Sequence, residues 1–257
     1  MTIQDNYKEA NQADQKPSIT VEIWSDYLCP WCFIGEWNMT NALNELGVSF
    51  TKEHRSYQTN PTQDAPESIY EVALKYGMNL DSARDRAKQI EQSAKQSGLI
   101  IHMDRVQMVN TFDAHCLVAY AKTQGVENTV SDRLMEAAFV KGWNIADIDR
   151  LIVIAVDAGL DEQPVKSILL NKQFKNIVED DISNGQRMGV KSVPYYRINN
   201  RYEISGANSK EQFKHYIQSV LEKEKLDNMP SARTVMGCRL HHFRMNTKMK
   251  IMNIKKK

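Results

Sequence analysis

Along the first third of the chain the spacing of apolar residues changes period. Over Ile19–Trp24, β-branched and aromatic residues alternate roughly every second position and stop at Ser25-Asp26, which predicts a central β-strand. After Cys29-Pro30-Trp31-Cys32 the apolar positions Phe33, Ile34, Trp37, Leu43 and Leu46 recur at helical spacing, and Gly47 stands where a helix C-terminus calls for it. A second strand is predicted over Val48–His54. Strand, helix and strand in this order imply two parallel strands joined by a crossover helix.

From about Gln58 to Arg187 strand signals almost vanish. Amphipathic helices are predicted from Pro66 to Tyr76 before Gly77, and from Asp81 toward Gly98. In Asn110-Thr111-Phe112-Asp113-Ala114-His115, Asn110 or Thr111 is placed to cap a helix carrying Ala114, Leu117, Val118 and Ala121 on one stripe. Further helices are expected near 127–140, 147–158, 163–171 and 173–187, with Asp147 as an N-cap and Gly159 as a C-cap. Strand chemistry returns at Val193–Ile198, turns at Asn199-Asn200 and continues through Arg201–Ile204 as a hairpin. A closing helix runs from about Ser209 to Lys225, opened by a Ser209/Gln212 capping box, with Phe213, Tyr216, Ile217 and Val220 as its buried stripe. The fold class is α/β: a discontinuous domain of residues 18–57 and 188–226, interrupted by a helical insertion at 58–187. Residues 1–17 read as a disordered leader and 227–257 as a basic, disordered tail.

Composition narrows the function classes. Of the 257 residues 42% are hydrophobic and 25% charged, with a net charge of +1, so no bulk attraction to nucleic acid or membranes follows. The first 18 residues lack the apolar run of a secretory signal, and no stretch approaches the roughly 20 apolar residues that cross a bilayer. A cytoplasmic location is therefore expected.

Four cysteines, Cys29, Cys32, Cys116 and Cys238, are too few for a disulfide framework in a chain this long. The pair Cys29/Cys32 follows a strand and opens a helix, the setting of a redox dithiol. Free N–H groups of a first helical turn favour a thiolate at Cys29, and Pro30 suits that turn because it needs no N–H of its own. Cys32 lies one helical turn on, in reach of a mixed disulfide. Cys29 is thus assigned as nucleophile and Cys32 as resolver, with Trp31 shading the sulfurs or touching a bound partner. The competing reading is a zinc site completed by Cys238 and His241; it is disfavoured because zinc pairs sit in loops or knuckles. No metal is expected. Asp26 is read first as the cap of the turn that starts the helix, and second as a proton relay for the resolving thiol. His115 is read as a packing residue, with a place at the interface between insertion and redox domain as the alternative. Cys116 is read as a small helix-packing residue.

Four segments resemble the DsbA family, and within it the FrnE-like branch of dithiol oxidoreductases. They are Ile23-Trp24-Ser25-Asp26 leading into Cys29-Pro30-Trp31-Cys32, then Asn110 through His115, then Gly189-Val190-Lys191-Ser192-Val193-Pro194, and Ser205-Gly206-Ala207. The resemblance implies a thioredoxin-like fold with a large α-helical insertion. It implies a cis Pro194 facing the cysteines, and a Val193 backbone that pairs with an extended substrate. Implied partners are protein or small-molecule thiols and disulfides, with no cofactor beyond redox exchange with glutathione or a partner dithiol; a homodimer stays open. The sequence departs from its relatives at Cys116, where they tend to carry a basic residue, and in the tail. Two alternatives remain. One is a glutathione-dependent isomerase or transferase of the kappa class, like 2-hydroxychromene-2-carboxylate isomerase; the other is a non-enzymatic holdase.

Overall fold

β1 (Ser18–Ser25) is the central strand, and it is buried from Val21 onward because neighbours cover both of its faces. We describe residues 18–227 of a computed structural model; the leader, Cys238, His241 and the basic tail lie outside the described residues. β1 runs parallel to β2 (Ser49–Ser56) and antiparallel to β5 (Tyr195–Ile198), which in turn pairs antiparallel with β6 (Tyr202–Ser205). The sheet order is β2-β1-β5-β6. α1 (Pro30–Glu45) makes the crossover between β1 and β2. Glu22 tolerates the central strand because both flanking strands supply an arginine: Arg55 at 2.8 Å and Arg197 at 2.5 Å from its carboxylate.

Between β2 and β5 come β3 (Glu67–Ser68), α2 (Ile69–Lys75), α3 (Leu80–Gln96) and β4 (Gln107–Met108). They are followed by α4 (Phe112–Thr123), α5 (Glu127–Phe139), α6 (Ile148–Asp157), α7 (Glu162–Leu170) and α8 (Lys175–Arg187). β3 and β4 pair as a two-residue ladder too short for any periodicity to announce. α2 begins three residues after the expected Pro66, since Ser68 caps it reciprocally with Glu71. Leu117, Leu134 and Leu151 of the inserted helices share one continuous apolar core with Leu28, Cys32 and Ile34. No described helix is long and apolar enough to cross a membrane.

The β5–β6 turn behaves as the sequence predicts. Asn199 and Asn200 adopt φ of 50° and 55°, the left-handed pair at the centre of a turn that the Arg201 N–H closes on the Ile198 carbonyl at 3.0 Å, and β6 starts at Tyr202, one residue after the expected Arg201. Asn199 also exchanges hydrogen bonds with the Thr20 backbone, at 2.9 and 3.0 Å, which pins the hairpin to β1. β5 begins at Tyr195, so Val193 and Pro194 precede the strand rather than open it. α9 (Lys210–Asp227) starts at the expected Ser209/Gln212 box. The chain falls into two compact units that part within this helix, between His215 and Tyr216.

Candidate active site

α1 starts directly at the cysteine pair. Cys29 is its N-cap residue, Pro30 its first helical residue, and no side-chain oxygen caps the first turn. The Cys29 N–H bonds back to the Asp26 carbonyl at 3.0 Å, and the Cys32 N–H to the Cys29 carbonyl at 3.0 Å. Cys29 is partly exposed, whereas Cys32 is 0% exposed. Burial, then the neighbouring Cys29 sulfur, pushes the Cys32 thiol well above the ordinary thiol range; the Asp26 backbone and the Ser25 hydroxyl oppose this only in part.

The facing wall comes from the far end of the sequence. The Val193–Pro194 peptide bond is cis, and the Val193 carbonyl lies 3.8 Å from Cys29 Sγ. Gly35 lets this wall approach: a Cβ there would stand 3.1 Å from the Pro194 ring and 2.5 Å from the Tyr196 hydroxyl. Trp31 is 36% exposed and borders a groove of about 680 Å³ that also touches Trp37, Asn41 and Lys210. The structure therefore brings together Cys29, Cys32, Val193, Pro194 and the Pro30-Trp31 linker.

Asp26 does not cap α1, which corrects the preferred reading of that residue. Its carboxylate is 1% exposed and turns away to accept from the Thr59 N–H and hydroxyl, each at 2.6 Å. His115, 3% exposed, packs its ring 4.8 Å from Tyr27 and places Nε2 3.7 Å from Asp26 Oδ1. Burial alone would raise the Asp26 carboxyl, but His115 and Thr59 outweigh it and hold it below its usual range. Of the two expected caps of α4, Asn110 supplies the side chain: its Oδ1 accepts from the Phe112 N–H at 2.9 Å, while Thr111 makes no side-chain cap. Cys116 is buried as expected, and burial pushes its thiol up to about 12.

Sequence reasoning missed a charged cluster behind the dithiol helix. Glu36, one turn beyond Cys32, is 6% exposed and accepts from Lys52 at 2.7 Å and His54 at 2.9 Å. Glu127 of α5 accepts from the His54 backbone at 2.6 Å, and Ser131 lies 3.1 Å from the same imidazole. A signal existed: Glu36 and Asn38 fall on the inward face of α1, while Trp37, counted in the apolar stripe, is 41% exposed. Burial opposes a charge on His54, yet Glu36 and Glu127 prevail and lift it from 6.5 to about 9. The folded state thus holds this proton more tightly than the unfolded chain. Its contribution to stability is complete below pH 6.5 and is lost as pH rises through about 9. Urea unfolding across that window should show stability falling in the wild type and a flatter profile in His54→Gln; equal losses in both would assign the decline to other groups.

A family model described as a DSBA-like thioredoxin domain matches residues 20–218. YwbO, an uncharacterised protein of Bacillus subtilis (strain 168), is 25% identical over 215 residues, covering 80% of this chain and 100% of its own. A probable DsbA oxidoreductase from Streptomyces coelicolor is 28% identical, with a TM-score of 0.74 over 82% of this chain and 92% of that one. The cytosolic disulfide reductase DsbM from Pseudomonas aeruginosa, 14% identical, shares the fold, with a TM-score of 0.53 over 79% of this chain and 98% of that one.

Proposed function

Because the chain belongs to the DSBA-like thioredoxin domain family, we propose that it is a dithiol oxidoreductase exchanging disulfides with protein or small-molecule clients through Cys29 and Cys32. The observation that carries this reading is the asymmetry of the pair: a partly exposed sulfur at an uncapped helix start, beside the Val193 carbonyl, and a wholly buried second sulfur. The Cys29 thiolate attacks a client disulfide, forming a mixed disulfide and releasing one client thiolate. Cys32 then attacks the Cys29 sulfur, closing the Cys29–Cys32 disulfide and releasing the second client thiolate. Run backwards, the same steps oxidise a client dithiol.

An extended client segment would pair with the backbone at Val193, next to the attacked sulfur, in the manner of an added strand. The presence of Cys32 favours dithiol exchange over a kappa-class isomerase, which needs only to activate glutathione. The sparse cysteines accord with a cytoplasmic setting. Replacing Cys32 by Ser should accumulate client mixed disulfides on Cys29, visible as adducts on non-reducing gels that vanish with dithiothreitol. A Cys32→Ser protein whose Cys29 alkylates readily yet traps no client would overturn these roles.

A further inference from the structure

We propose that Trp24 is the positioning residue of the wall opposite Cys29: its indole holds both ends of the segment 188–194 and so aligns extended peptide clients, while small-molecule disulfides do not depend on it. The proposal deepens the dithiol reading above and rests on it. The wall segment runs from the end of α8 at Arg187 to the start of β5 at Tyr195, with no helix or strand of its own. Such a segment keeps its shape only where its neighbours hold it.

One indole meets both ends. Trp24 is buried, and its Nε1–H donates to the Asp181 carbonyl of α8 at 3.2 Å. Gly185, one turn on, lets the ring come this close, since a Cβ there would stand 2.8 Å from Nε1. Glycine inside a helix is unfavourable relative to alanine, so its place here has a packing cause. The Gly185 carbonyl also accepts from the Val190 N–H at 2.9 Å, and the Gln186 carbonyl from the Gly189 N–H at 3.0 Å, the pairing that ends a helix through a left-handed glycine. At the far end Trp24 pairs with Tyr195 in the β1–β5 ladder and meets its ring edge-on at 5.7 Å.

Between these ends Met188, Val190 and Val193 pack on the same cluster around Trp24. Arg197, anchored by Glu22, lies over the indole at 5.5 Å. The Asp181 carboxylate accepts from the Ser56 N–H at 3.1 Å, which ties α8 to β2 as well as to β1. Neither cysteine belongs to the Trp24 cluster; both pack on the main core, which Val193 also touches. A displaced indole therefore moves the Val193 backbone and leaves the sulfurs in place. A peptide that must pair with that backbone feels the shift, because hydrogen bonds are directional. A small disulfide, which needs only Cys29, does not.

The test compares two disulfides with one leaving group: 5,5′-dithiobis(2-nitrobenzoate), and an extended peptide whose single cysteine carries the same thionitrobenzoate. In each the Cys29 thiolate of the reduced full-length protein attacks a sulfur, and coloured thionitrobenzoate leaves with the electron pair. Trp24→Phe keeps a ring and removes the Nε1–H donor; Gly185→Ala drives a methyl group into the indole. Attack on the peptide, followed by stopped flow, should slow about 10-fold in Trp24→Phe, the scale of one hydrogen bond. It should slow about 100-fold in Gly185→Ala, the scale of a misplaced positioning group. Both variants should attack the small disulfide at the wild-type rate, and Gly185→Ala serves if Trp24→Phe fails to fold. Equal slowing on both disulfides would reduce Trp24 to a packing residue and overturn the proposal, as would an unchanged peptide rate. A wild type that attacks neither disulfide would sink the dithiol reading, and this proposal with it.

Discussion

Insulin reduction by Cys29→Ser should fall by about 10³-fold or more, the scale seen when an attacking nucleophile is removed. Among the described residues the geometry gives no substitute. A serine hydroxyl at the same helix start is not ionised near neutrality, and Cys32 behind it is fully buried, with its thiol held well above the ordinary range. Cys116 cannot stand in either, because it is 1% exposed and pushed up to about 12. Cys116→Ser should therefore reduce insulin at the wild-type rate and serves as the control. Turbidity of precipitating insulin B chain reads the difference. Equal rates for wild type and Cys29→Ser would point to a holdase in which the dithiol is idle.

The largest expected loss of stability follows Glu36→Ala. Glu36 is the shared acceptor of Lys52 and His54, both of which it holds in the charged form. Removing it leaves two cations facing each other in a buried site, with Glu127 as the nearest acid on His54. Breaking a buried charge pair from one side costs about 3–5 kcal/mol, which lowers the melting temperature of a chain this size by roughly 6–20 °C. Glu36→Gln keeps the shape and a hydrogen-bonding oxygen and should lose less. Calorimetry on the three proteins checks the order. A melting temperature for Glu36→Ala within a degree of wild type would mean that water or rearrangement relieves the cations.

Much of the scaffold could be read from the sequence because its signals are local. The period-two run of β1, the helix opened by Pro30 and the Asn199-Asn200 turn each declare themselves within a few residues. The dithiol was legible for the same reason, since two sulfurs one helical turn apart behind a strand need no distant partner to be recognised. What escaped depends on remote partners. Nothing near Glu36 says that Lys52, His54 and Glu127 will gather around it, so its helix face reads as an apolar stripe with a stray charge. Asp26 misled for a related reason: its position before a helix suggests a cap, but Thr59 and His115 draw the carboxylate elsewhere.

The separation of Cys29 from its facing wall has a consequence for translation. Cys29 meets Val193 across 164 residues of chain, and β5, which lies beside central β1, arrives just after Val193. At about 5–20 residues per second, a ribosome needs roughly 8–33 s to deliver that wall after the dithiol emerges. During this interval the nascent thiols lack the surface that would align a client, and selective exchange begins only when the chain has been made through Ile198, the end of β5.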